Sequence, residues 1–399
     1  MTPRADVLIT YAWCRSSYTA MRSLHSMGLR LAVADIKRTG MSQWSRFCSF
    51  AGCYASPLTN PEQFISDVIQ LLNKTGANFI LPGHDETEIL AKYRKRLPSS
   101  IILPVATVDQ LNLANDKARI TKFADLTGVP IPQTFNWSNI SDLSKALSEV
   151  CVPLVVKLRR SNGSKGTFYP DSSRNAVEII QDLITKYRLK PDRYPIVQER
   201  VNGEGWGVSC LYWYGERIAY FTHRRLREKT PNGGTSTLRV SARNPILENY
   251  TFNLLDSLNW HGLAMVEYKY NPEADRGWFI EINPRLWGSI HLAVSSGVDF
   301  PALLYRSATD NPSTAKKYVK EQKDGLIARW YLGDVMIAVS EMYKGKFKSA
   351  IRLILPGQSD VYDDVKRDDL GAFFGQSLHY LIGFLHSRNI NPVEDQMVG

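Results

Sequence analysis

The first 105 residues alternate short apolar runs with segments that carry apolar side chains on one helical face. Short apolar runs predict buried strands, and apolar positions spaced three and four residues apart predict amphipathic helices. Strands that alternate with helices indicate a parallel sheet covered on both faces, which is a Rossmann-like arrangement. The predicted strands are 7–10, 29–35, 78–81 and 101–103, and the predicted helices are 17–27, 62–73 and 86–96.

The ends of these strands carry little recognisable chemistry. No G-x-G-x-x-G sequence follows the first strand, so the pattern does not predict a dinucleotide site. Ligands of parallel sheets bind at the carboxyl ends of strands, and the segment Pro82-Gly83-His84-Asp85 follows one such end. A loop residue and a helix cap are nevertheless the simpler interpretation of His84 and Asp85.

From residue 106 onwards the pattern changes twice. Residues 133–200 have the composition of a small α+β unit, and the period-two alternation that follows predicts an antiparallel sheet. Beyond residue 305 the chain is mainly helical by pattern, with amphipathic stretches. The predicted domains are therefore 1–105, 106–305 with a small lid subdomain at about 133–200, and 306–399. The predicted elements are helices at 111–128, 176–187, 330–343 and 370–386, and strands at 153–157, 196–199, 209–214 and 217–221.

The most informative pattern is a hairpin in residues 263–283. Apolar and polar side chains alternate on both sides of a segment with turn composition, 271–277. If the hairpin is symmetric about Ala274, Glu267 lies directly opposite Glu281. Facing side chains on antiparallel strands have Cβ atoms about 4.5–5.5 Å apart, and like charges at this distance repel. The pair therefore needs a cation or a shared proton between its carboxylates.

Asn283 and Arg285 add to this pair. Carboxylate and amide oxygens are hard ligands that suit Mg²⁺, which usually keeps substrate phosphates among its ligands. An arginine near such a site can offset charge on a phosphoryl group during its transfer. The alternative interpretation is an exposed hairpin whose glutamates pair with lysines. That alternative is better for either glutamate alone, whereas the complete Glu-Ile-Asn-Pro-Arg sequence favours a magnesium site.

Other segments carry groups that suit an anionic ligand. Lys157 lies in an apolar strand, so it needs an anionic partner, which can be a phosphate or a protein carboxylate. The Gly/Ser-rich segment 161–167 offers backbone N–H groups that can surround a phosphate, although such segments are usually turns. Arg224 and Arg225 form either an anion site or a solvated basic face. The Gly-Gly-Thr-Ser segment that follows them favours the anion site.

Composition and charge limit the class of protein. The 44% hydrophobic and 22% charged residues are ordinary for a soluble globular protein. No segment reaches the ~18 apolar residues of a membrane span, so no membrane partner is predicted. The formal net charge of +10 is spread along the chain without a nucleic-acid-binding motif, which favours a cleft for polyphosphate and carboxylate ligands. The five cysteines lack Cys-x-x-Cys spacing and predict reduced thiols in a cytoplasmic protein.

Taken in chain order, these features resemble the ATP-grasp superfamily over about residues 1–305. The likeness is to its carbamoyl-phosphate-synthase-like and carboxylate–amine ligase branches. The resemblance implies an α/β protein with the ATP-grasp fold: an N-terminal parallel domain, a small α+β lid, an antiparallel-sheet core and a helical C-terminal region. The segments that carry it are Lys117, Lys157, the Gly-rich segment, Gln198-Glu199-Arg200-Val201, Glu204, Glu267 and Glu281-Ile282-Asn283-Pro284-Arg285.

The resemblance also implies roles for individual residues. Glu267, Glu281 and Asn283 would hold Mg²⁺, with two ions expected, and Arg285 and Arg225 would be catalytic. The residues that would bind ATP are Lys117, Lys157, Ser164, Lys165, Gly166, Gln198, Glu199, Arg200, Val201 and Glu204. Candidate substrate contacts are Arg224, Gly234, Thr235, Ser236, Gly288 and Ser289.

The function implied is an ATP-dependent ligase that joins a small carboxylate to an amine through an acyl phosphate. Amino acids or their derivatives are the expected substrates, and a homodimer is among the expected assemblies. An alternative is bicarbonate activation, although the chain has no biotin-carrier or glutaminase signature. A second alternative is an ATP-binding regulator without turnover, which would not require Arg285.

Overall fold

The computed structural model describes residues 4–161, 166–230 and 233–387. The N-terminal part forms a four-stranded sheet in the order β3-β2-β1-β4, in which every neighbouring pair is parallel. This confirms the predicted parallel sheet and adds strand β3, which the apolar pattern did not predict. The predicted strand 101–103 is wrong, because only Ile102 pairs there, through a single parallel bridge to Phe79. The elements are strands β1 (Val7–Ile9), β2 (Leu31–Asp35), β3 (Cys48–Cys53) and β4 (Phe79–Leu81), and helices α1 (Arg15–Ser26), α2 (Pro61–Thr75) and α3 (Glu86–Lys92), with a 3₁₀ turn at Arg94–Arg96.

The prediction of a single helix over 111–128 is wrong. This segment forms two helices, α4 (Val108–Ala114) and α5 (Lys117–Leu126). The break lies at Asp116, whose side chain accepts hydrogen bonds from the backbone N–H groups of Ala118 and Arg119. Aspartate is a preferred N-cap because it satisfies N–H groups that have no partner within the helix. The cap places Lys117 at the first helical position of α5.

The second sheet has four strands in the order β5-β8-β6-β7, all antiparallel. The sheet and two helices that pack on it share a small hydrophobic core, separate from the others, which includes Leu143, Val156 and Ile180. A separate core is what a subdomain that moves as a unit requires. The elements are strands β5 (Thr134–Phe135), β6 (Leu154–Lys157), β7 (Thr167–Phe168) and β8 (Ile196–Glu199), helices α6 (Ile140–Leu147) and α7 (Ser173–Tyr187), and a 3₁₀ turn at Pro191–Arg193.

The third sheet has seven strands in the order β13-β12-β9-β10-β11-β14-β15 and is antiparallel except for the last pair. Two of its strands come from the region predicted to be mainly helical, so the sheet extends further than the sequence pattern indicated. The Gly-Gly-Thr-Ser segment, predicted as a loop, belongs to strand β11. The strands are β9 (Glu204–Trp213), β10 (Glu216–Thr230), β11 (Gly233–Ser241), β12 (Gly262–Asn271), β13 (Arg276–Asn283), β14 (Ile327–Arg329) and β15 (Val361–Tyr362).

The first and third sheets share one hydrophobic core. Leu8 and Ile80 of the parallel sheet belong to the same buried cluster as Val208 and Val266 of the large sheet. The two predicted domains therefore pack directly on each other, and their boundary near residue 105 stays a prediction. The remaining helices are α8 (Pro245–Ser257), α9 (Ile290–Ser295), α10 (Phe300–Thr309), α11 (Pro312–Lys316), α12 (Tyr331–Tyr343), α13 (Phe347–Ile354) and α14 (Leu370–Ser387). Within the described ranges, none of the helices combines the length and the apolar character that crossing a bilayer would take.

Candidate active site

The hairpin β12–β13 brings two carboxylates together. Glu267 pairs with Glu281 in the strand register, as predicted, but the hairpin is not symmetric about Ala274. Asn271 pairs with Arg276 at the turn, and a β-bulge between the Glu267 and Tyr268 pairs shifts the register by one residue to give the carboxylate pair. Asn283 connects them, because its side-chain Nδ2 lies 3.1 Å from Glu267 Oε1 and 3.5 Å from Glu281 Oε1. Both acidic side chains therefore point to the same side of the sheet as the amide.

A cation contacts each carboxylate. Arg225 Nη2 lies 2.6 Å from Glu267 Oε1, and Lys117 Nζ lies 3.2 Å from Glu281 Oε2. Burial raises the pKa of Glu267 above its usual value, although Arg225 opposes the effect. Burial acts in the same direction on Glu281, but Lys117, Lys157 and other cations outweigh it and hold the pKa of that carboxyl below its usual value. The site therefore contains two acids of unequal proton affinity, surrounded by positive charge.

The donor set fits magnesium better than a transition metal. The described residues contain no cluster of three or more His, Cys, Asp or Glu side chains arranged to hold a metal. Glu267, Glu281 and the amide oxygen of Asn283 are hard oxygen donors, and they are too few to complete the shell of an ion. Mg²⁺ tolerates this, because it usually takes its remaining ligands from phosphates and water.

Lys157 is a buried cation with a neutral partner. Its residue is only 7% exposed, and its Nζ donates to Gln198 Oε1 at 2.9 Å. Burial lowers the pKa of Lys157 to about 8, although Glu281 acts to raise it. Gln198 is in turn held by Thr134, whose hydroxyl accepts from Nε2 at 2.9 Å. A buried ammonium that contacts an amide is stabilised when an anion approaches it.

The Gly-rich segment adjoins both lysines. Lys117 Nζ donates to the carbonyl of Ser161 at 2.7 Å, and the carbonyl of Gly166 accepts from the N–H of Leu158 at 2.7 Å. A side chain at Gly166 would meet Ser161 at 2.7 Å, so the turn needs glycine there. Ser164 and Lys165, two of the predicted ATP contacts, lie outside the described residues.

The predicted ATP-binding segment 198–201, which in the ATP-grasp resemblance would be the hinge that meets adenine, begins within the last two residues of strand β8. The N–H of Glu199 donates to Gln133 and that of Arg200 donates to Pro153, so both backbones are held against the lid sheet. Val201 lies just beyond, half-buried. The first hinge residue, Gln198, contacts the buried Lys157 through its side chain.

Glu204 and Arg224, for which separate roles were predicted, contact each other. Glu204 Oε1 lies 3.0 Å from Arg224 Nη1, and Glu204 Oε2 accepts from the indole of Trp206 at 3.3 Å. Both charged side chains are more than a third exposed. The contact of Glu204 with a ribose therefore stays a prediction, and it would need this exposed pair to open.

The predicted substrate residues fall into two groups. Gly234 lies near the carboxylate pair, because its carbonyl accepts from Arg225, which also contacts Glu267. Thr235 and Ser236 follow it in strand β11. Gly288 and Ser289 lie a few residues after the segment Asn283-Pro284-Arg285. Any side chain at Gly288 would meet Arg15 Nη2 at 2.9 Å.

Two buried residues that contact this segment, His223 and Arg15, were not among the predicted site residues. The hydroxyl of Ser289 lies 3.1 Å from Nε2 of His223, which is completely buried. Burial lowers the pKa of His223 far below neutrality. His223 and Arg15 come from separate elements, so only the three-dimensional fold brings them to Ser289 and Gly288.

A cavity of about 300 Å³ opens beside the carboxylate pair. Its lining includes Glu281, Asn283, Arg285 and Lys117, and it reaches the strand end at His84 and Asp85 that the sequence pattern marked only weakly. Further lining side chains come from α3, α4 and the lid: Glu88, Asn115, Arg160 and Arg193. Arg160 and Asn115 both contact Glu88, at 2.8 and 2.6 Å.

The chain is similar to several known proteins. Residues 193–332 match the family described as "ATP-grasp in the biosynthetic pathway with Ter operon". The acetyl-CoA carboxylase of Schizosaccharomyces pombe is 23% identical over 181 residues, which are 42% of this chain and 8% of that protein. This chain thus spans a small part of that relative.

Two solved structures have a similar fold. The biotin carboxylase domain of the Hydrogenobacter thermophilus 2-oxoglutarate carboxylase, solved with MgADP and bicarbonate, has a TM-score of 0.63 at 14% identity over 77% of this chain and 70% of that one. The L-amino acid ligase from Bacillus licheniformis has a TM-score of 0.61 at 15% identity over 81% of this chain and 79% of that one. The match over residues 193–332 and the similar folds agree with the resemblance seen in the sequence, and the solved structures show that the chain has the ATP-grasp fold.

Proposed function

We propose that the chain is an ATP- and Mg²⁺-dependent ligase that joins a carboxylate to an amine and releases ADP and phosphate. The observation that carries the proposal is the pair Glu267–Glu281, connected by Asn283 and bordered by cations, of which Glu281 and Asn283 line a cavity. A structural ion pair needs neither the second carboxylate nor the cavity. A site for magnesium and nucleoside triphosphate needs both.

The metal would be held by Glu267, Glu281 and Asn283. When bound there, Mg²⁺ neutralises charge on the β- and γ-phosphates of ATP during transfer. We expect two ions, because the three side chains offer several oxygens and the phosphates complete each shell. Lys117 and Arg225, which contact the carboxylates at 3.2 and 2.6 Å, are within reach of phosphates that enter the site.

The nucleotide would lie between the lid and the large sheet. Lys157 and Lys117 would contact phosphates, the N–H groups of residues 164–166 would cover them, and the hinge at 198–201 would meet the adenine. Lys157 supports this placement most strongly, because its burial beside neutral Gln198 lowers its pKa to about 8 and leaves it in need of an anion. Closing the lid would exclude water, which otherwise hydrolyses an activated acyl group.

The chemistry follows from these positions. A substrate carboxylate oxygen attacks the γ-phosphorus in line, the bond to the ADP oxygen breaks, and an acyl phosphate forms. The nitrogen of an amine then attacks the acyl carbon, phosphate leaves with the bonding electrons, and the amine loses a proton. Arg285 and Arg225 would stabilise the charge on the transferring group, which lowers the barrier without covalent participation.

The cavity supports amino acids or their derivatives as substrates. Its lining contains arginines as well as the acids Asp85 and Glu88. Arg285 suits a carboxylate, and the contacting pair Arg160 and Glu88 offers one group of each sign to a ligand that carries both charges. A small molecule that carries both groups matches this lining better than a purely anionic one, and one structural relative in this fold is an L-amino acid ligase.

The test is a pairwise screen of amino acids with ATP and Mg²⁺, in which ADP, phosphate and product mass are followed together. The expected result is one ADP and one phosphate for each new amide bond, and complete loss of turnover when EDTA removes the metal. ADP release that requires bicarbonate but no amine would favour the second candidate, bicarbonate activation, which a relative bound to MgADP and bicarbonate suggests. ATP binding without turnover in any mixture would contradict both.

A further inference from the structure

The connection between β14 and β15 contains a two-helix hairpin, α12 and α13, that projects from the large sheet. The turn between the helices spans Lys344 to Lys346, and the facing sides of the helices pack around a small core of Ala338, Ala350 and Leu353. We call residues 339–355 the hairpin tip. Its inner face is therefore explained by packing within the hairpin.

The outer face of the hairpin tip is apolar and exposed. On α13, Phe347, Ile351 and Ile354 are four and three residues apart, so they lie on one side of the helix. Tyr343 at the end of α12 is 90% exposed, and Phe347 is 58% exposed. Isolated exposed apolar residues need no explanation, but a contiguous group marks an interaction surface. The exposed large apolar side chains of the tip are Val339, Met342, Tyr343, Phe347, Ile351, Ile354 and Leu355.

Positive charge surrounds these side chains. Lys344 and Lys346 lie in the turn, and Lys348 and Arg352 each follow an exposed apolar residue of α13. The acid of the tip, Glu341, lies 3.2 Å from Lys344 and 4.0 Å from Lys346, and it offsets only part of this charge. The tip therefore combines an apolar stripe with an excess of lysine and arginine.

The base of the hairpin is firmly fixed. Arg329, at the end of β14, donates to Asp334 of α12 at 2.6 Å and to the carbonyl of Leu355 at 2.8 Å. The side chains of Arg329 and Asp334 are completely buried. Because both ends of the hairpin are held, the exposed face is a built feature of the fold and not the result of a frayed segment.

We propose that the hairpin tip docks on an anionic lipid surface and lies in the interface without spanning the bilayer. A helix with aromatic and aliphatic residues on one face and lysines or arginines beside them inserts its apolar side into the headgroup region. Lysine and arginine add attraction to anionic lipids. The tip carries both features, and this proposal would replace the sequence-based expectation of no membrane partner.

The charge of the tip argues against a second copy of the chain as the occupant. A two-fold interface brings the same patch of both subunits together. Lys346, Lys348 and Arg352 of one copy would then face their own counterparts, and like charges at an interface disfavour association. An anionic surface meets the same cations favourably.

The test is co-sedimentation of the full chain with vesicles of phosphatidylcholine, with and without phosphatidylglycerol. The wild-type protein is expected to bind the mixed vesicles, to bind pure phosphatidylcholine more weakly, and to be released by high salt. The double substitution Phe347→Ser, Ile351→Ser is expected to weaken binding at least about tenfold. Lys348→Ala is expected to weaken it about fivefold, with the effect confined to the anionic vesicles.

The matched control is Leu126→Ser, which removes a side chain that is 76% exposed at the end of α5. It is expected to leave vesicle binding unchanged, and thermal melting with and without ATP is expected to show that all variants are folded. Absence of vesicle binding, or equal binding by wild type and the double variant, would overturn the proposal. A concentration-dependent dimer in sedimentation velocity that the double variant abolishes would assign the surface to a second copy instead.

Discussion

The two ends of the seven-stranded sheet hold buried charge in different ways. At the β12–β13 end, Glu267 and Glu281 face each other and share nearby cations beside a cavity. At the β14–β15 end, Asp363 contacts Arg239 and Asp334 contacts Arg329, and the side chains of all four are completely buried. Charged side chains therefore lie beside a cavity at one end of the sheet and are shielded from solvent at the other.

The difference shows in the proton affinities. Burial acts to raise the pKa of Asp363, but Arg239 and Arg15 outweigh it and hold that pKa below its usual value. Lys157, which belongs to the lid and interacts with Glu281 of the other end, donates to the neutral Gln198, and burial lowers its pKa to about 8 although Glu281 acts to raise it. Buried charge that is matched within the protein contributes to structure, whereas buried charge that lacks a matching partner is available to a ligand.

The largest effect is expected from Glu281→Ala. Loss of this carboxylate removes a proposed magnesium ligand, so ADP formation in the presence of substrates is expected to fall by at least about a thousandfold. The fold is expected to survive. Lys117 loses its contact with Glu281, but removing Glu281 also removes its repulsion with Glu267, and the two effects offset each other. ADP release and circular dichroism melting would measure the two effects.

Glu273→Ala is the matched control, since Glu273 is exposed in the turn of the same hairpin. It should retain full activity. Turnover retained by Glu281→Ala would contradict the assignment of the site, and unfolding of that variant would place Glu281 with the structural charges.

The second effect is on stability at the opposite end of the sheet. Asp363→Ala leaves Arg239 buried without its acid, and breaking a buried pair in this way costs about 3–5 kcal/mol of unfolding free energy. Urea denaturation would measure it. Asp368→Ala is the control, because Asp368 pairs with Arg22 at a side chain that is 49% exposed, and loss of such a pair costs about 1 kcal/mol or less. Equal losses in the two variants would show that Asp363 is not structural in this sense.

The two ends also differ in how far the sequence predicts them. Local alternation and a short turn predict the pairing of Glu267 with Glu281 from nearby residues alone, although the structure reaches that pair through a β-bulge that the turn does not predict. Arg239 and Asp363 are 124 residues apart, and β14 and β15 have three and two residues. No periodicity develops over so short a strand, so its pairing depends on partners that only the tertiary fold supplies.

The cavity illustrates the same limit. Glu281 and Arg285 come from the predictable motif, but Glu88, Arg160 and Arg193 come from a helix and two parts of the lid. Each of these is an ordinary charged residue in its own segment. His223 likewise lies in a strand that reads as a basic stretch, and its contact with Ser289 depends on the approach of α9 to the sheet. Sequence therefore predicts the carboxylate pair and the fold class, whereas the lining of the cavity depends on the tertiary fold.

Lys157→Met is expected to have smaller effects than the preceding variants: it should raise the free energy of unfolding and weaken ATP binding. The folded pKa of about 8 lies below the unfolded value of about 10.4, so burial of the ammonium costs stability in full below about pH 8. That cost is relieved as the pH rises from the folded to the unfolded pKa. The methionine variant is expected to gain about 3 kcal/mol at neutral pH, less about 1 kcal/mol for the lost hydrogen bond to Gln198, and to lose the rise of stability with pH.

Urea denaturation across this pH range would measure the gain, and titration calorimetry with ATP is expected to show at least about tenfold weaker binding by Lys157→Met. Lys145→Met, at an exposed position of α6 in the same subdomain, should change neither quantity. A Lys157→Met variant that is less stable than the wild type at neutral pH, yet binds ATP equally well, would show that Lys157 serves the lid and not the nucleotide.

The smallest expected effect is the pH dependence of ATP affinity. Below about pH 8 the ammonium of Lys157 is already protonated and binding needs no proton. Above it, a bound phosphate must restore the proton, so the affinity is expected to fall about tenfold for each further pH unit, which is about 1.4 kcal/mol. The terminal phosphate does not confound this, because its own second pKa lies near 6. Calorimetry in two buffers of different ionisation enthalpy should detect uptake of up to about one proton by the wild type and none by Lys157→Met. An affinity that is flat through this range would mean that the phosphates do not contact Lys157, and the distinction between the two ends of the sheet would then depend on the carboxylate pair alone.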